Sequence, residues 1–507
     1  MFPIHFFDRA ARLWPDHIAV EHEDRTMSYQ ALHAKVQALA AGLQDLDPVA
    51  GSRVGICCHN TIDHLVSWLA VLAASKVWVP LQPMNVQAEL VRGIEFTKAS
   101  LVIVQPEVAD KLVGAPTRFV ISDPEGGEGT TGGLCRTFEG HAPSANDLPL
   151  SATQAIKFTG GTTGLPKGVM QPYRAWNTNI AIQIQAWSLG LAQRYLAAAP
   201  ITHGTSTYIL PTLATGGTLV LLDRPRPEQT LDFLQNAAIT TTFVPPTVLY
   251  MLMELEAVSA SDYPDLRNLI YGAGPMRPEA IGRAQEIFGP CLASTYGQTE
   301  APQIATMIST TELRDPAKRA SVGRETFLTQ VEIMDPEGRV LPSGETGEIV
   351  IRGDLLMTGY WNQPEATASA LKDGWLHTGD LGLKDADGYL FIRGRAKDMI
   401  ITGGFNVYPA DVEPVMGEHP DIIDCAVFGV PDDKWGEAVH AAVEVRDGAR
   451  VSADDIIAFV RDRLGPVKTP KSVIFMDSLP RNAIGKLQKA TLTKEHMARR
   501  AGVLKKG

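Results

Sequence analysis

The stretch Phe158-Thr159-Gly160-Gly161-Thr162-Thr163-Gly164-Leu165-Pro166-Lys167-Gly168 holds the densest chemistry in the chain. Three threonine hydroxyls, four glycines and one lysine leave no room for an apolar period, so the segment predicts a loop rather than a packed helix or strand. Glycine lets backbone N–H groups turn towards a ligand, the hydroxyls add short donors, and Lys167 adds a point charge, which together suit a phosphate. It is not a Walker A loop, because Lys167 follows Pro166 and precedes Gly168 instead of Ser or Thr. A flexible Gly/Thr surface linker has the same composition, so the rest of the chain must decide.

Four further clusters could act on the same ligand. Tyr296-Gly297-Gln298-Thr299-Glu300 joins an aromatic ring that could stack on a purine to a carboxylate that could hold a divalent cation with phosphate oxygens. His377-Thr378-Gly379-Asp380 places an acid at an expected turn, where it could accept from both hydroxyls of a ribose. Gly394-Arg395-Ala396-Lys397-Asp398 followed by Thr402-Gly403-Gly404-Phe405-Asn406 gives charges and then a second glycine loop. Leu479 to Lys486 ends on a lysine just after a glycine. Singly, these read as well as a buried tyrosine, an Asx-turn, a solvated charged face and an exposed lysine.

The elements that must position these residues follow from apolar spacing. Leu32, Val36, Leu39 and Leu43 recur at helical intervals after Ser28, a candidate N-cap. Val54 to Cys58 reads as a buried strand, Ile62 to Ala74 as a helix and Val77 to Leu81 as a strand, which argues for βαβ units and a mostly parallel sheet. Leu101 to Val104 and Phe119 to Ile121 continue the alternation, as do segments at Ala175 to Trp187, Tyr195 to Ala199, Thr218 to Leu222 and Thr240 to Val244. Between Asp123 and Pro143 the Gly, Pro and Glu content predicts a mobile surface excursion without chemistry. After about Gly323 short, turn-rich β segments take over, with Asp387-Gly388 as a hairpin turn, and Gly394 to Lys397 is a candidate boundary before new αβ material.

At 507 residues the chain exceeds a single core, and with 45% hydrophobic and 20% charged residues it is an ordinary globular sequence. A net charge of -11 argues against nucleic acid and anionic membrane as partners. No signal peptide or integral membrane segment is apparent, and the most apolar run, Leu65 to Ala74, is too short to cross a bilayer. The five cysteines, Cys57, Cys58, Cys135, Cys291 and Cys425, lack CxxC spacing, so a reducing cytoplasmic setting is expected.

Taken together, Thr159–Gly168, Tyr296–Glu300, Thr378–Asp380, Gly394–Gly404 and Pro480–Lys486 resemble, in order and spacing, the family of AMP-forming acyl- and aryl-CoA synthetases. That family also contains peptide-synthetase adenylation domains and luciferases, and the resemblance covers nearly the whole chain. It implies an α/β fold: a large N-terminal domain (1–394) of stacked, mostly parallel αβ layers with a β-rich subdomain at about 323–394, and a small mobile α+β lid domain (395–507), with the active site between them. ATP, Mg²⁺ and coenzyme A are the implied cofactors, and a monomer or homodimer is expected.

Residue by residue, the resemblance implies that Thr159, Gly160, Gly161, Thr162, Thr163, Gly164 and Lys167 bind the β- and γ-phosphates, and that Gly272-Ala273-Gly274-Pro275 with Tyr296 hold adenine; Gly297 and Thr299 are further cofactor-binding candidates. Glu300 would bind Mg²⁺, Asp380 and Arg395 the ribose beside Ile392, and Lys486 would bridge the carboxylate and the α-phosphate. Lys397 falls at the hinge and Gly403-Gly404 where the pantetheine arm passes. Thr163 and His203 join Glu300 and Lys486 as candidate catalytic residues. Gly160 stands where the family commonly has Ser, and Gly274 where Ala is common.

The acid pocket implied by the family comprises Trp176, His203, Gly204, Ser206, Thr207, Tyr208, Tyr271, Gly272 and Gly297. No Lys or Arg lies between Ile201 and Leu222, which points to an apolar monocarboxylic acid, aromatic or medium-chain, rather than a dicarboxylic one. The expected reaction is ATP-dependent adenylation of that acid followed by thioester formation with CoA. Two alternatives are a stand-alone adenylation enzyme that loads a carrier-protein thiol and a non-catalytic nucleotide-binding protein on the same fold.

Overall fold

The computed structural model describes residues 1–159, 167–260, 262–432, 434–446, 448–481 and 487–500. By its internal packing the chain divides into two compact units, Met1–Val331 with Ile351–Leu376, and Glu332–Val350 with His377–Gly507.

The first unit is built from apolar strands alternating with helices. Arg53–Cys57, Val77–Pro80, Leu101–Val104 and Arg118–Ile121 are parallel neighbours. Such near-continuous apolar runs suit strands covered on both faces. They form a seven-stranded sheet that continues through Thr153–Thr159, Lys167–Pro172 and Gly359–Tyr360. A nine-stranded sheet has parallel strands at its centre, namely Ile18–His22, Thr218–Leu221, Arg194–Ala197, Thr241–Val244, Asn268–Gly272 and Leu292–Tyr296, and antiparallel strands at both edges.

One hydrophobic core joins both sheets through the helices Tyr29–Leu46, Ile62–Ala73, Tyr173–Ala186 and Ser206–Ala214. Helix Ile62–Ala73 is mostly apolar, and every residue but Asp63 and Ala73 is buried. Trp68, Trp78 and Trp176 meet there, with ring centroids 5.4, 5.9 and 6.3 Å apart. The expected cap is present: the Ser28 side chain accepts from the Ala31 N–H at 3.2 Å.

The stretch 123–143 departs from expectation. It holds a helix, Thr131–Thr137, started by the Thr130 hydroxyl accepting from the Gly133 N–H at 3.0 Å. Its glycines serve close packing, since a Cβ on Gly132 would lie 2.1 Å from the Pro124 carbonyl oxygen. Leu134 and Cys135 are packed against the main core.

In the second unit, the predicted hairpin around Asp387-Gly388 is formed by Trp375–Lys384, which begins at the end of the first unit, and Leu390–Arg395. The Asp385 carboxylate fixes its turn by accepting from the Asp387 and Tyr389 N–H groups at 3.0 and 2.8 Å. A second sheet runs Phe405–Val407, Ile400–Thr402, Gly436–Val445, Ile422–Asp432, with Ser472–Phe475 parallel to Gly436–Val445. Helices Pro409–Gly417 and Ala453–Lys468 bury Val412, Met416, Ile456 and Val460 against it. A Ser452/Asp455 capping box starts the longer helix. No helix among the described residues is long and apolar enough to cross a membrane.

Candidate active site

The two ends of the glycine-rich segment are strand, not loop. Thr153–Thr159 and Lys167–Pro172 pair antiparallel, with Phe158 opposite Gly168 and Thr159 opposite Lys167. Residues 160–166, which include Gly160, Gly161, Thr162, Thr163 and Gly164, lie outside the described residues.

At the end of that ladder a charged corner assembles within the first unit. Lys167 Nζ lies 4.6 Å from the centre of the Tyr360 ring, and the Tyr360 hydroxyl donates to Glu300 Oε1 at 2.8 Å. Strand Gly359–Tyr360 pairs with Lys167–Pro172, and Gln171 Nε2 donates to the Thr299 carbonyl at 2.8 Å. The cation, the ring and the carboxylate are therefore held by adjacent backbone rather than by long side chains alone. Tyr360 carries no motif of its own, which is why sequence reading passes over it.

The adenine candidates come together because strands Asn268–Gly272 and Leu292–Tyr296 are parallel neighbours, with Gly272 opposite Thr295. Both strands end at the same edge, where open α/β sheets place ligands. Ala273 has φ +66°, a left-handed turn that ends the first strand. Gly297 is required by space, since a Cβ there would lie 2.6 Å from the Gln303 carbonyl carbon.

The acid-pocket candidates also converge. His203 and Gly204 lie in a π-turn, Ile201–Thr205, that leads into helix Ser206–Ala214, and His203 departs from helical geometry at φ -114°, ψ -136°. The turn is held by Ser206 and Thr207, whose hydroxyls donate to the His203 and Gly204 carbonyls at 2.8 and 2.6 Å. Tyr208 stacks on Phe243 at 5.2 Å, and Phe243 also lies beside Gly204 and Gly272. Gln303 Nε2 donates to the Tyr208 hydroxyl at 3.3 Å. Phe243 and Gln303 thus belong with this group, although they sit in unremarkable sequence. Tyr271 is buried on the neighbouring strand, which raises its hydroxyl pKa.

Lys157 is the residue that sequence reading missed most. It projects from strand Thr153–Thr159, donates to the His203 carbonyl at 3.1 Å and the Ser206 hydroxyl at 2.8 Å, and lies 4.9 and 5.4 Å from the Trp78 and Trp176 ring centres. Burial pulls its pKa down to about 7. Burial, with Lys157 beside it, likewise lowers His203 to about 4, so the imidazole is neutral near pH 7, with its Nδ1 2.9 Å from the Thr202 hydroxyl. The signal was available: a lysine inside the apolar run Ala155-Ile156-Lys157-Phe158. The observation that no cation lies between Ile201 and Leu222 remains true of that segment, but a different strand brings one to it.

In the second unit Asp380 is not at a turn. It lies within strand Trp375–Lys384, directly opposite Arg395, whose Nε donates to Asp380 Oδ1 at 2.7 Å. Period-2 alternation turns the carboxylate inward, and Asp380 is 5% exposed. Ile392 pairs with Gly382 on the same hairpin. Lys397 is exposed on the short turn Ala396–Asp398. Gly403 and Gly404, at φ +58° and +83°, form the two-residue turn joining Ile400–Thr402 to Phe405–Val407, a geometry that glycine accepts without strain. Lys486 lies outside the described residues.

The model of the AMP-binding enzyme family matches residues 7–361, and that of the AMP-binding enzyme C-terminal domain matches residues 411–486. The chain belongs to this family, the adenylate-forming ligases that include the AMP-forming acyl- and aryl-CoA synthetases. A medium/long-chain-fatty-acid–CoA ligase of Mycobacterium tuberculosis is 39% identical over 352 residues, covering 68% of this chain and 62% of that protein. A feruloyl-CoA synthase of Streptomyces is 34% identical over 489 residues, 95% of this chain and 96% of that one. The solved structure of the amide bond synthetase McbA from Marinactinospora thermotolerans superposes with a TM-score of 0.88 at 32% identity, covering 97% of this chain and 99% of that one.

Proposed function

We propose that this chain activates a carboxylic acid of largely apolar body as its acyl-adenylate and passes the acyl group to CoA, releasing pyrophosphate and AMP. The observation that carries the reading is the corner at Lys167, Tyr360 and Glu300, where backbone pairing holds a cation and a carboxylate on either side of one ring at the end of the ladder. A carboxylate is a weak nucleophile towards an anionic phosphate, so the chemistry needs cationic groups that offset the repulsion as charge develops, and needs no proton-transferring triad.

Lys167 and residues 160–166 are assigned to the β- and γ-phosphates, Gly272 to Gly274 and Tyr296 to adenine, Asp380 and Arg395 to the ribose, and Gly403-Gly404 to pantetheine. Lys486 is assigned to the reacting carboxylate and α-phosphate, and the functional boundary of the lid to residues 394/395, with Lys397 as hinge. Glu300 suits Mg²⁺: one carboxylate suffices because Mg²⁺ usually keeps waters and takes its remaining ligands from phosphate, and no cluster of three His, Cys, Asp or Glu occurs among the described residues. When bound, the ion would neutralise phosphate charge. The protein is assigned to the cytoplasm, as a monomer or homodimer.

A pyrophosphate-release screen over carboxylic acids, with and without CoA as sole acceptor, tests this reading. Release that depends on an acid and yields acyl-CoA is expected, whereas ATP binding without release for any acid would remove it. Lys486→Ala should cut adenylate formation by roughly 10²–10³-fold. The same variant should still convert a supplied acyl-adenylate to acyl-CoA; equal damage to both half-reactions contradicts the assignment.

A further inference from the structure

Lys157 is buried in the core of the first unit among groups that leave its charge unmatched. Its ammonium has three N–H donors, and the His203 carbonyl and Ser206 hydroxyl account for two. Among the described residues no carboxylate pairs with Lys157, whereas Lys76, Lys384, Lys468 and Lys489 each have one. The faces of Trp78 and Trp176 supply some compensation. The Nε1–H groups of both indoles are themselves buried without an acceptor. Lys157 and the indoles that flank it thus bury more donors than they have acceptors for, and a buried donor left unpaired is costly.

A purely structural strut does not account for this arrangement. The kinked turn at His203 is already held by the Ser206 and Thr207 hydroxyls. A hydrocarbon side chain at 157 would fill the space between the indoles without the cost of desolvating a cation. What the cluster lacks is a hydrogen-bond acceptor, and three of its members, Trp176, His203 and Ser206, belong to the assigned acid pocket.

We propose that Lys157 is a specificity-determining residue of the acid subsite, where its amino group receives an acceptor oxygen carried by the substrate far from its reacting carboxylate. The preferred acid then has an apolar body ending in a hydroxyl, ether or oxo group, rather than a plain hydrocarbon tail. This rests on the proposed function and narrows its substrate class.

The test compares kcat/KM, by pyrophosphate release, for acids of matched length and skeleton with and without a distal hydroxyl or oxo group, in the wild type and in Lys157→Met. The wild type should favour the oxygen-bearing acid at least tenfold, and the variant should bring that ratio to about one. Equal kcat/KM for the two acids in the wild type overturns the proposal whether or not the variant folds, and so does a preference that survives in the variant. If K157M proves insoluble, K157Q takes its place, with loss of at least half the logarithm of the ratio expected and no change in the ratio overturning the assignment. Absence of release with every acid would instead remove the proposed function, so the two failures are distinguishable.

Discussion

Lys157 and Lys167 stand on the two paired strands of one hairpin, yet physical chemistry treats them differently. Lys167 is half-buried at the end of the ladder, against the single ring of Tyr360 and near Glu300. Lys157 is one turn of the pleat deeper, opposite Val169, between two indoles and with only neutral acceptors. A cation beside water can hold or release a phosphate at little cost in folding. A lysine in the core costs the fold its desolvation below about pH 7 and the proton it gives up above that, so its retention calls for a resident use. The pairing teaches that the glycine-rich motif advertises the first lysine, while the second is visible only once the strand's inward face is known.

The largest effect that could break this contrast is on stability. Burial holds Lys157 at about 7, while an unfolded lysine titrates near ~10.4. Between those values the unfolded chain keeps a proton that the folded chain has lost, so the wild type gains stability as pH rises through the window. Lys157→Met removes that gain. Its stability relative to the wild type should fall by roughly 3–5 kcal/mol between pH 6 and pH 10.5, measured by urea unfolding at both pH values. A pH-independent difference would mean that Lys157 is not desolvated as described.

A smaller effect is expected at the mouth of the hairpin. Lys167→Ala should lower kcat/KM for ATP by tenfold or more, about 1.4 kcal/mol or above. Its unfolding free energy should fall by no more than about 1 kcal/mol, the loss of one part-exposed contact between a cation and a ring. A large loss of stability with intact ATP kinetics would reverse the roles of the two lysines.

The smallest effect is at the ring beneath Lys167. Tyr360→Phe keeps the ring under Lys167 and removes one hydrogen bond to Glu300, worth about 0.5–1.5 kcal/mol of stability. The Mg²⁺ concentration giving half-maximal pyrophosphate release should shift a few-fold, because Glu300 loses its orienting partner. An unchanged Mg²⁺ response would detach Glu300 from the metal.

Much of this was legible in the sequence. The strands at 53–57, 77–80 and 101–104 are short apolar runs whose only comfortable place is a covered parallel sheet, and Ser28 caps its helix as its position suggests. The cluster order revealed the family. What remained hidden depends on direction. Asp380 reads as a turn acid because Gly379 precedes it, but the strand continues through Gly379 at φ +69°. Arg395 becomes its partner only through the register of Trp375–Lys384 against Leu390–Arg395. Tyr360, Phe243 and Gln303 lie in sequence without pattern, and only long-range pairing delivers them to the site.

Helix Thr131–Thr137 has a consequence for anyone altering this protein. By composition, 123–143 is the natural place to splice in a tag, a reporter or new chain termini. Gly132 and Gly133 nevertheless press against the backbone of Pro124 and Gly127, at distances that no Cβ could occupy. Such a splice would pry a wedge from beneath Gly42, whose helix rests on Leu134 and Phe138. The tips at Gly338 and Gly388, where a Cβ on Gly338 would meet nothing within 4 Å and the chain simply reverses, are the more forgiving sites for insertion.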